Sequence, residues 1–189
     1  MVLGAFALAI ASVLTLVNLA TKPSIEANKL AYLDKQLADV LPGSLHTNLL
    51  QQNPLIITDT RTGKPRTIYI ARNQEKAVSA VITANAADGY SGEIEFLVGI
   101  LPDGQLTGVR VIDHSETPGL GDDIELDKSN WVLQFDGKTI SLPVSWAVKR
   151  DGGDFDQLTG ATITSRAIVR EVHHTLEFFH TNQQQLFTQ

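Results

Sequence analysis

The first 21 residues carry no charge, and this apolar run constrains the chain more than any other feature of its sequence. Apolar side chains fill sixteen of the first twenty positions, and the exceptions are Gly4, Ser12, Thr15 and Asn18. Twenty helical residues extend about 30 Å, which matches the hydrocarbon core of a bilayer. The sequence therefore predicts a transmembrane helix over about residues 2–20, within an anchor of residues 1–21.

A cleaved signal peptide is the alternative to this anchor. The apolar run is longer than that of a usual signal peptide, and no basic residue precedes it, so its length favours an anchor. An Ala-x-Ala-like cleavage site near Ala20 keeps the alternative open. Orientation rests on Lys22 and Lys29, which follow the run. Taken alone, they would place the following domain in the cytoplasm.

Composition limits what the rest of the chain can be. The chain has 189 residues, enough for one span and one domain of about 150 residues. It has 15 Lys and Arg against 21 Asp and Glu, and a net charge of −6 disfavours a nucleic-acid partner. There is no cysteine, which excludes disulfides, Cys-ligated zinc, iron–sulfur clusters and Cys nucleophiles.

An amphipathic helix follows the apolar run. Residues 24–41 place apolar side chains at three- to five-residue steps: Ile25, Leu30, Leu33, Leu37 and Leu41. Pro42-Gly43 is expected to end this helix, and a polar segment comes after it. Residues 22–50 are therefore predicted to be a juxtamembrane helix and linker.

The middle of the chain is rich in Ile, Val and Thr, which favour strands. The predicted strands are Leu55–Thr58, Thr67–Ala71, Ala77–Ala84, Glu93–Ile100 and Leu106–Asp113. A tight turn at residues 102–105 joins the last two as a hairpin, and Gly108 is a candidate bulge. These strands open the main domain, predicted over residues 51–182.

The remaining elements are fewer and shorter. A short helix is predicted through Trp131–Phe135, a strand over Val144–Lys149 and a long helix over residues 162–180. The tail of residues 183–189 is expected to fray. The predicted fold class is α+β: an antiparallel sheet packed with helices, preceded by one N-terminal transmembrane helix.

Several familiar sites are absent from the sequence. Gly137-Lys138-Thr139 lacks the first glycine of a P-loop, because Val132 stands there. Asp154 and Asp156 do not continue at calcium-loop spacing. His173 and His174 are adjacent and cannot chelate as an i, i+4 pair. We therefore predict neither catalytic residues nor metal ligands.

One segment combines small and hydroxyl residues at a predicted helix start. Asp156–Ser165 reads DQLTGATITS, which brings four hydroxyls and a glycine to the point where unpaired N–H groups attract anions. Small residues there would let a phosphate approach the backbone closely. An ordinary helix cap explains the same residue types, and this segment alone favours the cap.

Three motifs in order carry a family resemblance. D-x-x-T-G-A-T at 156–162 resembles the flavinylation motif of proteins that hold FMN through a phosphoester to threonine. Gly-Tyr-Ser-Gly at 89–92 and Glu-Thr-Pro-Gly-Leu-Gly at 116–121 match the same proteins. Together with the anchor, the chain is similar over nearly its whole length to the RnfG family, the G subunits of Rnf ion-translocating electron transport complexes. The NqrC family of sodium-pumping NADH:quinone oxidoreductases is related.

The resemblance implies a membrane-anchored electron carrier without substrate turnover of its own. Thr162 would bear covalent FMN, and Asp156 would belong to the pattern recognised by a flavin transferase, although a solvated loop acid explains it equally well. The other residues expected around the cofactor are Thr159, Gly160, Ala161, Thr164, Ser165, Glu116, Thr117, Gly119, Leu120, Tyr90 and Ser91. For Tyr90, packing in the core is the alternative to stacking on the flavin.

The resemblance also implies location and partners. The complex would lie in a bacterial inner membrane, with the large domain of this single-pass subunit on the periplasmic side, against the charge assignment given above. Its partners would be the other Rnf subunits (A, B, C, D and E), among them a second membrane subunit with covalent FMN, besides the lipid bilayer. The complex would couple electron flow between reduced ferredoxin and NAD to ion movement.

The uneven distribution of acidic residues is consistent with docking of a basic partner protein. Residues 113–156 contain ten acids and four bases, a difference equal to the net charge of the whole chain, −6. Such a surface would steer a basic partner, although a merely solvated face is the simpler explanation. A membrane-tethered binding or sensor domain without a redox cofactor remains the alternative function at this stage.

Overall fold

The computed structural model describes residues 2–41, 53–141 and 143–187. They divide into two compact units, residues 1–35 and 36–189. The first unit is helical, and the second contains the sheet, the C-terminal helix and the end of the N-terminal helix. The predicted helix end at Pro42-Gly43 and most of the linker after it lie outside the described residues.

Helix α1 runs from Val2 to Val40 without interruption, through Pro23. It joins the predicted membrane helix and the predicted amphipathic helix into one element of 39 residues. Its N-terminal half is long and apolar enough to cross a membrane. The hydroxyls there donate to carbonyls one turn earlier, as Ser12 does to Leu8 at 2.8 Å. This bond satisfies the hydroxyl within the helix, which suits an apolar environment.

The sheet is a five-stranded antiparallel meander whose spatial order follows the chain, β1-β2-β3-β4-β5. Its strands are β1 Leu55–Thr58, β2 Pro65–Asn73, β3 Lys76–Ala86, β4 Ile94–Ile100 and β5 Leu106–Asp113. All five predicted strands are confirmed, with β2 and β3 extended at both ends. The bulge predicted near Gly108 is also confirmed, because Thr107 is left without a partner between the pairs Gly99–Gly108 and Ile100–Leu106.

Helix α2, Thr162–Phe187, packs on one face of the sheet against β3 and β4. Alternate strand residues such as Ile82, Phe96 and Val98 meet its apolar stripe in the main core. The helix continues seven residues beyond the predicted end at 180, and Leu186 is fully buried. The predicted fraying is therefore wrong for residues 183–187, because Leu186 anchors the last turn in the core.

The second face of the sheet receives the end of α1. Within the second unit, Val40 is fully buried, and its carbonyl oxygen accepts a hydrogen bond of 2.8 Å from the Thr107 hydroxyl. The Arg110 guanidinium donates to the Asp39 carbonyl at 3.0 Å. A Cβ at Gly99 would lie 2.2 Å from the Thr107 hydroxyl oxygen and 3.1 Å from the Val40 carbonyl oxygen, so glycine leaves room for this hydrogen bond. Two of the last carbonyls of α1 are thus capped by β5.

Among the described residues between β5 and α2, the helical elements are all short turns. The short helix predicted at Trp131–Phe135 is confirmed as a 3₁₀ helix, and two others lie at Gly121–Ile124 and Lys149–Asp151. The predicted strand Val144–Lys149 is wrong, since Val148 forms only an isolated bridge with Phe155. The apolar side chains of that segment instead pack in the core, where the Trp146 ring lies 4.9 Å from that of Phe155.

Candidate functional site

The start of α2 presents unpaired backbone donors. Ser165 stabilises the turn, because its hydroxyl accepts from the Leu158 N–H at 2.9 Å and donates to the Ala161 carbonyl at 3.0 Å. The first helical bond runs from the Ser165 N–H to the same carbonyl. Within the described part of the chain, the N–H groups of residues 162–164 have no acceptor. Three free amides at the positive end of a helix suit an anion such as phosphate.

Thr162 is the first residue of α2 and is only partly buried. Its hydroxyl makes no hydrogen bond to any described residue, and neither does that of the exposed Thr159 three residues earlier. Gly160 between them has a φ of +79°, which lets the chain turn into the helix. The Thr162 hydroxyl is therefore available to react or to bind.

The ETPGLG segment forms a turn that touches this helix start. The Thr117 carbonyl accepts the N–H groups of Leu120 and Gly121, and Asp122 accepts that of Gly119 at 2.6 Å. A Cβ at Gly160 would lie 3.1 Å from Cδ2 of Leu120, so the two turns are in contact. The backbone of Leu120 is fixed by this turn, but 47% of the residue's surface is exposed to solvent.

The GYSG segment lies at the end of β3 and the start of β4. Tyr90 is 68% exposed, so the alternative that it packs in the core is wrong. The Ser91 N–H donates to Oε1 of Glu116 at 3.0 Å, which ties this turn to the ETPGLG segment. Tyr90, Leu120 and Ile163 are three of the exposed large apolar residues of the second unit, and each belongs to one of the three segments. They give the site an apolar surface beside its free amides.

Three predicted site side chains point into the protein and require a correction. Thr164 and Ser165 are fully buried, and Glu116 is only 5% exposed. The Thr164 hydroxyl donates to Oε2 of Glu116 at 2.6 Å, while Ser165 is occupied by the turn described above. These side chains have their partners within the fold, and only the Thr164 backbone faces the free end of the helix. They order the site without offering a polar group to a ligand.

The backbone of Asp156 is fixed by two hydrogen bonds that the sequence did not indicate. Its N–H donates to the Gln134 side chain at 2.7 Å, and its carbonyl accepts from Nε1 of Trp131 at 2.6 Å. Its carboxylate is exposed and lies 2.7 Å from the Lys149 ammonium. No sequence signal marked Gln134, because its partner lies 22 residues further along the chain. The backbone of Asp156 is thus fixed while its side chain stays accessible.

The acidic residues around the site are partly engaged. Arg166, one turn into α2, forms two hydrogen bonds with Asp151, and they lower the pKa of that carboxyl despite the opposing effect of desolvation. Asp122 is buried by its bond to Gly119 and lies 3.6 Å from the Lys128 ammonium.

Two family models match separate parts of the chain. The model described as FMN-binding domain matches residues 89–177, from the GYSG turn to the middle of α2. The model described as RnfG N-terminal region matches residues 1–40, the extent of α1. The three segments that meet at the helix start all lie within the first match.

Curated relatives are similar over nearly the whole chain. The G subunit of the ion-translocating oxidoreductase complex of Pseudomonas aeruginosa (strain UCBPP-PA14) is 44% identical, covering 98% of this chain and 89% of its own. The protein of the same name from Shewanella baltica (strain OS223) is 42% identical, covering 98% and 90%. The match includes the anchor as well as the domain.

Solved structures share the fold at lower identity. Shewanella oneidensis NqrC has a TM-score of 0.54 and 22% identity, over 81% of this chain and 76% of that one. The C subunit of the Na(+)-translocating NADH-quinone reductase of Parabacteroides distasonis has a TM-score of 0.51 and 22% identity, over 65% of both chains. The predicted α+β class with an antiparallel sheet is confirmed by this likeness and by the sheet itself.

Proposed function

The chain belongs to the RnfG family, the G subunits of ion-translocating oxidoreductase complexes, and from this premise we propose that it carries FMN on Thr162 as an electron-transfer subunit. The match of residues 89–177 to an FMN-binding domain supports the cofactor. The single observation that carries the attachment site is the free Thr162 hydroxyl beside three unpaired amides.

The residues present at the site fit FMN. The free N–H groups of residues 162–164 would hold the phosphate, since the positive end of α2 favours the charge that a phosphodiester retains. Gly160 keeps side-chain bulk away from that position. The exposed side chains of Tyr90, Leu120 and Ile163 would supply the apolar surface for the ring system.

The same geometry supports attachment at Thr162. The Thr162 oxygen would form a phosphoester as the pyrophosphate bond of FAD breaks; AMP would leave, and the hydroxyl proton would pass to solvent. A Mg-dependent flavin transferase would catalyse this step, and the exposed carboxylate of Asp156 is a group that such an enzyme can recognise. Thr162 would need no base of its own within this chain.

FMN supplies the redox chemistry when it is bound, and the protein supplies position, polarity and exposure. The described residues near Thr162 hold the turns by buried hydrogen bonds and leave apolar side chains at the surface. Such a site can hand electrons to a partner without binding a separate substrate. We therefore infer no independent turnover by this protein.

The setting is a bacterial inner membrane. The apolar half of α1 supports a single-pass anchor in the lipid bilayer. We place residues 36–189 on the periplasmic side by family resemblance, although Lys22 and Lys29 taken alone would favour the cytoplasm. The partners would be the other Rnf subunits (A, B, C, D and E), including the second one with covalent FMN, and the acidic segment 113–156 would steer basic surfaces among them.

Mass spectrometry of the intact chain tests the attachment. Protein from a host with flavin transferase should be heavier by one FMN minus one water, and Thr162→Ala should lose this increment. Thr159→Ala is the matched control, because its hydroxyl lies in the same turn and is also free. Wild-type chain of unmodified mass from such a host would contradict the proposal, as would modified Thr162→Ala.

A reporter fused to the C-terminus tests the sidedness. A reporter active only in the periplasm should give a signal, and a reporter active only in the cytoplasm should not. The opposite pattern would overturn the placement and leave the attachment proposal intact.

A further inference from the structure

Glu116 is a buried acid at which three separate parts of the sequence meet. Its Oε1 accepts the Ser91 N–H at 3.0 Å, and its Oε2 accepts the Thr164 hydroxyl at 2.6 Å. These partners lie 25 and 48 residues away along the chain. One carboxylate therefore joins the GYSG turn, the ETPGLG turn and the first turn of α2.

No cation in the described part of the chain forms an ion pair with Glu116. Its charge is met by two neutral donors and by the positive end of α2, where Thr164 is the third residue. An unpaired buried carboxylate is costly, and replacing it by an apolar residue would avoid that cost. What the carboxylate provides is a fixed distance between the two turns and the helix start.

Two glycines leave room for this carboxylate. A Cβ at Gly121 would lie 2.9 Å from both Cβ and Oε2 of Glu116. A Cβ at Gly89 would lie 2.8 Å from Oε1 of Glu116 and 2.4 Å from the carbonyl oxygen of Gly92. Neither glycine has a positive φ, so close contacts and not backbone conformation require them. The last glycine of ETPGLG is thus explained by Glu116 alone, and the first glycine of GYSG by Glu116 together with the backbone of its own turn.

The backbone of Glu116 is fixed as well. Its N–H donates to Nδ1 of His114 at 3.0 Å, and Nε2 of His114 lies 2.9 Å from Oε1 of Glu125. Since Nδ1 accepts, the imidazole carries its proton on Nε2 and donates to Glu125. The acid is held from its main chain and from both carboxylate oxygens.

We propose that Glu116 is the positioning residue of the flavin site: it sets the start of α2 against the two turns so that Thr162 is presented for attachment. The proposal rests on the function proposed above. Thr164 is two residues from Thr162, so the 2.6 Å bond fixes the turn that carries the acceptor hydroxyl. An error of about 1 Å in placing a reacting group costs about 100-fold in rate.

The test measures the rate of flavin attachment to the full-length chain, purified without FMN and mixed with flavin transferase, Mg²⁺ and FAD. Glu116→Ala should slow attachment about 10- to 100-fold. Glu116→Gln should restore most of the rate, because its amide oxygen can accept from Ser91 and its N–H can donate to Thr164.

A second pair of variants decides the matter if Glu116→Ala does not fold. Thr164→Val removes the bond to Glu116 and should also slow attachment. Thr175→Val is the matched control, because Thr175 is equally buried on α2 and far from Thr162 in sequence. Its hydroxyl also bonds a buried charged side chain, since it accepts from the Arg66 guanidinium at 3.1 Å. Thr175→Val should leave the attachment rate within about twofold of wild type, a difference in activation free energy well under about 1 kcal/mol.

A readout on the unmodified chain is independent of the cofactor. Glu116→Ala should speed hydrogen exchange at the Ser91 amide, and Thr175→Val should not, because only the first removes the acceptor of that N–H.

The outcomes separate this inference from the proposed function. Wild-type chain that accepts no FMN would refute the proposed function. If Glu116→Ala or Thr164→Val were modified at the wild-type rate, the positioning role alone would be overturned. A Glu116→Gln variant as slow as Glu116→Ala would also overturn it, because the charge and not the position would then be what matters.

Discussion

Helix α2 is attached to two buried acidic clusters that are built in different ways. Near its start, Glu116 is bound by Thr164 and Ser91, which are both neutral. Two turns further along, Glu171 and Asp59 share the guanidinium of Arg66, each at 2.7 Å. Arg61 adds a second cation, 3.1 Å from Glu171. We call these the Glu116 junction and the Arg66 cluster.

The difference separates positioning from stabilisation. The Arg66 cluster balances two acids with two cations, and it fixes the loop after β1 and the start of β2 to the middle of α2. The Glu116 junction leaves its acid without a cation and lies beside the candidate attachment site. A balanced cluster serves the stability of the fold, whereas the unbalanced junction is kept for the geometry of the three turns that it joins.

The largest expected effect is that of Arg66→Ala on stability. It would leave Asp59 and Glu171 buried without their shared partner, so the free energy of unfolding should fall by about 3–5 kcal/mol. Urea unfolding of the full-length chain in detergent measures it. Arg150→Ala, at an exposed side chain, is the control and should change little. A loss below about 1 kcal/mol for Arg66→Ala would end the distinction drawn between the two clusters.

A smaller effect is expected from Gly121→Ala at the Glu116 junction. Its Cβ would lie 2.9 Å from Cβ of Glu116, so the turn must shift at a cost of about 1–3 kcal/mol. Gly4→Ala is the control, since nothing lies within 4 Å of a Cβ there. The same unfolding measurement applies. If Gly121→Ala were as stable as wild type, the space around Glu116 would not be the reason for glycine.

Acid should act on the Arg66 cluster through Asp59. Burial by itself raises the pKa of the Asp59 carboxyl, but hydrogen bonds from Arg66 and the Arg61 N–H, with the attraction of both cations, lower it below its ordinary value. The folded state therefore holds the proton less tightly than the unfolded state. The stability that Asp59 contributes is complete above about pH 4 and is lost as pH falls through the lowered pKa.

Unfolding measured from pH 6 down to pH 3 checks this dependence. The wild-type chain should lose stability more steeply below about pH 4 than Asp59→Asn, which has no carboxyl to protonate. The effect should be smaller than that of Arg66→Ala, since Glu171 still pairs with Arg66. Equal slopes in the two chains would show that Asp59 has the same pKa folded and unfolded.

The smallest effect is expected for an exposed ion pair on the same helix. Arg170 pairs with Asp88 at the surface, where water screens both charges. Arg170→Ala should cost less than about 1 kcal/mol, and added salt should shrink that cost further. Thermal unfolding at low and high salt measures both. A cost comparable to that of Arg66→Ala would mean that burial is not what distinguishes the Arg66 cluster.

Local patterns were enough to predict most elements. Short stretches of sequence were sufficient in two places. The apolar run at residues 2–20 predicted the first half of α1, and the Ile, Val and Thr content around Ile82 and Val98 predicted strands of the sheet. The same reasoning failed at Val144–Lys149, where apolar residues pack in the core without a strand partner. It also failed at the end of α2, where Leu186 is buried in a core built from residues distant in sequence.

The sequence by itself determined the apolar run that could span a membrane, the strands and the order of three short motifs, the last of which ends at Thr162. The tertiary structure decided which of their side chains face a ligand: Tyr90 and Leu120 are exposed, while Glu116 and Thr164 are buried against each other. Motif matching reads residue types along the chain. The bond between Glu116 and Thr164 joins residues 48 positions apart, and only the packing of the sheet, the turns and α2 brings them within 2.6 Å.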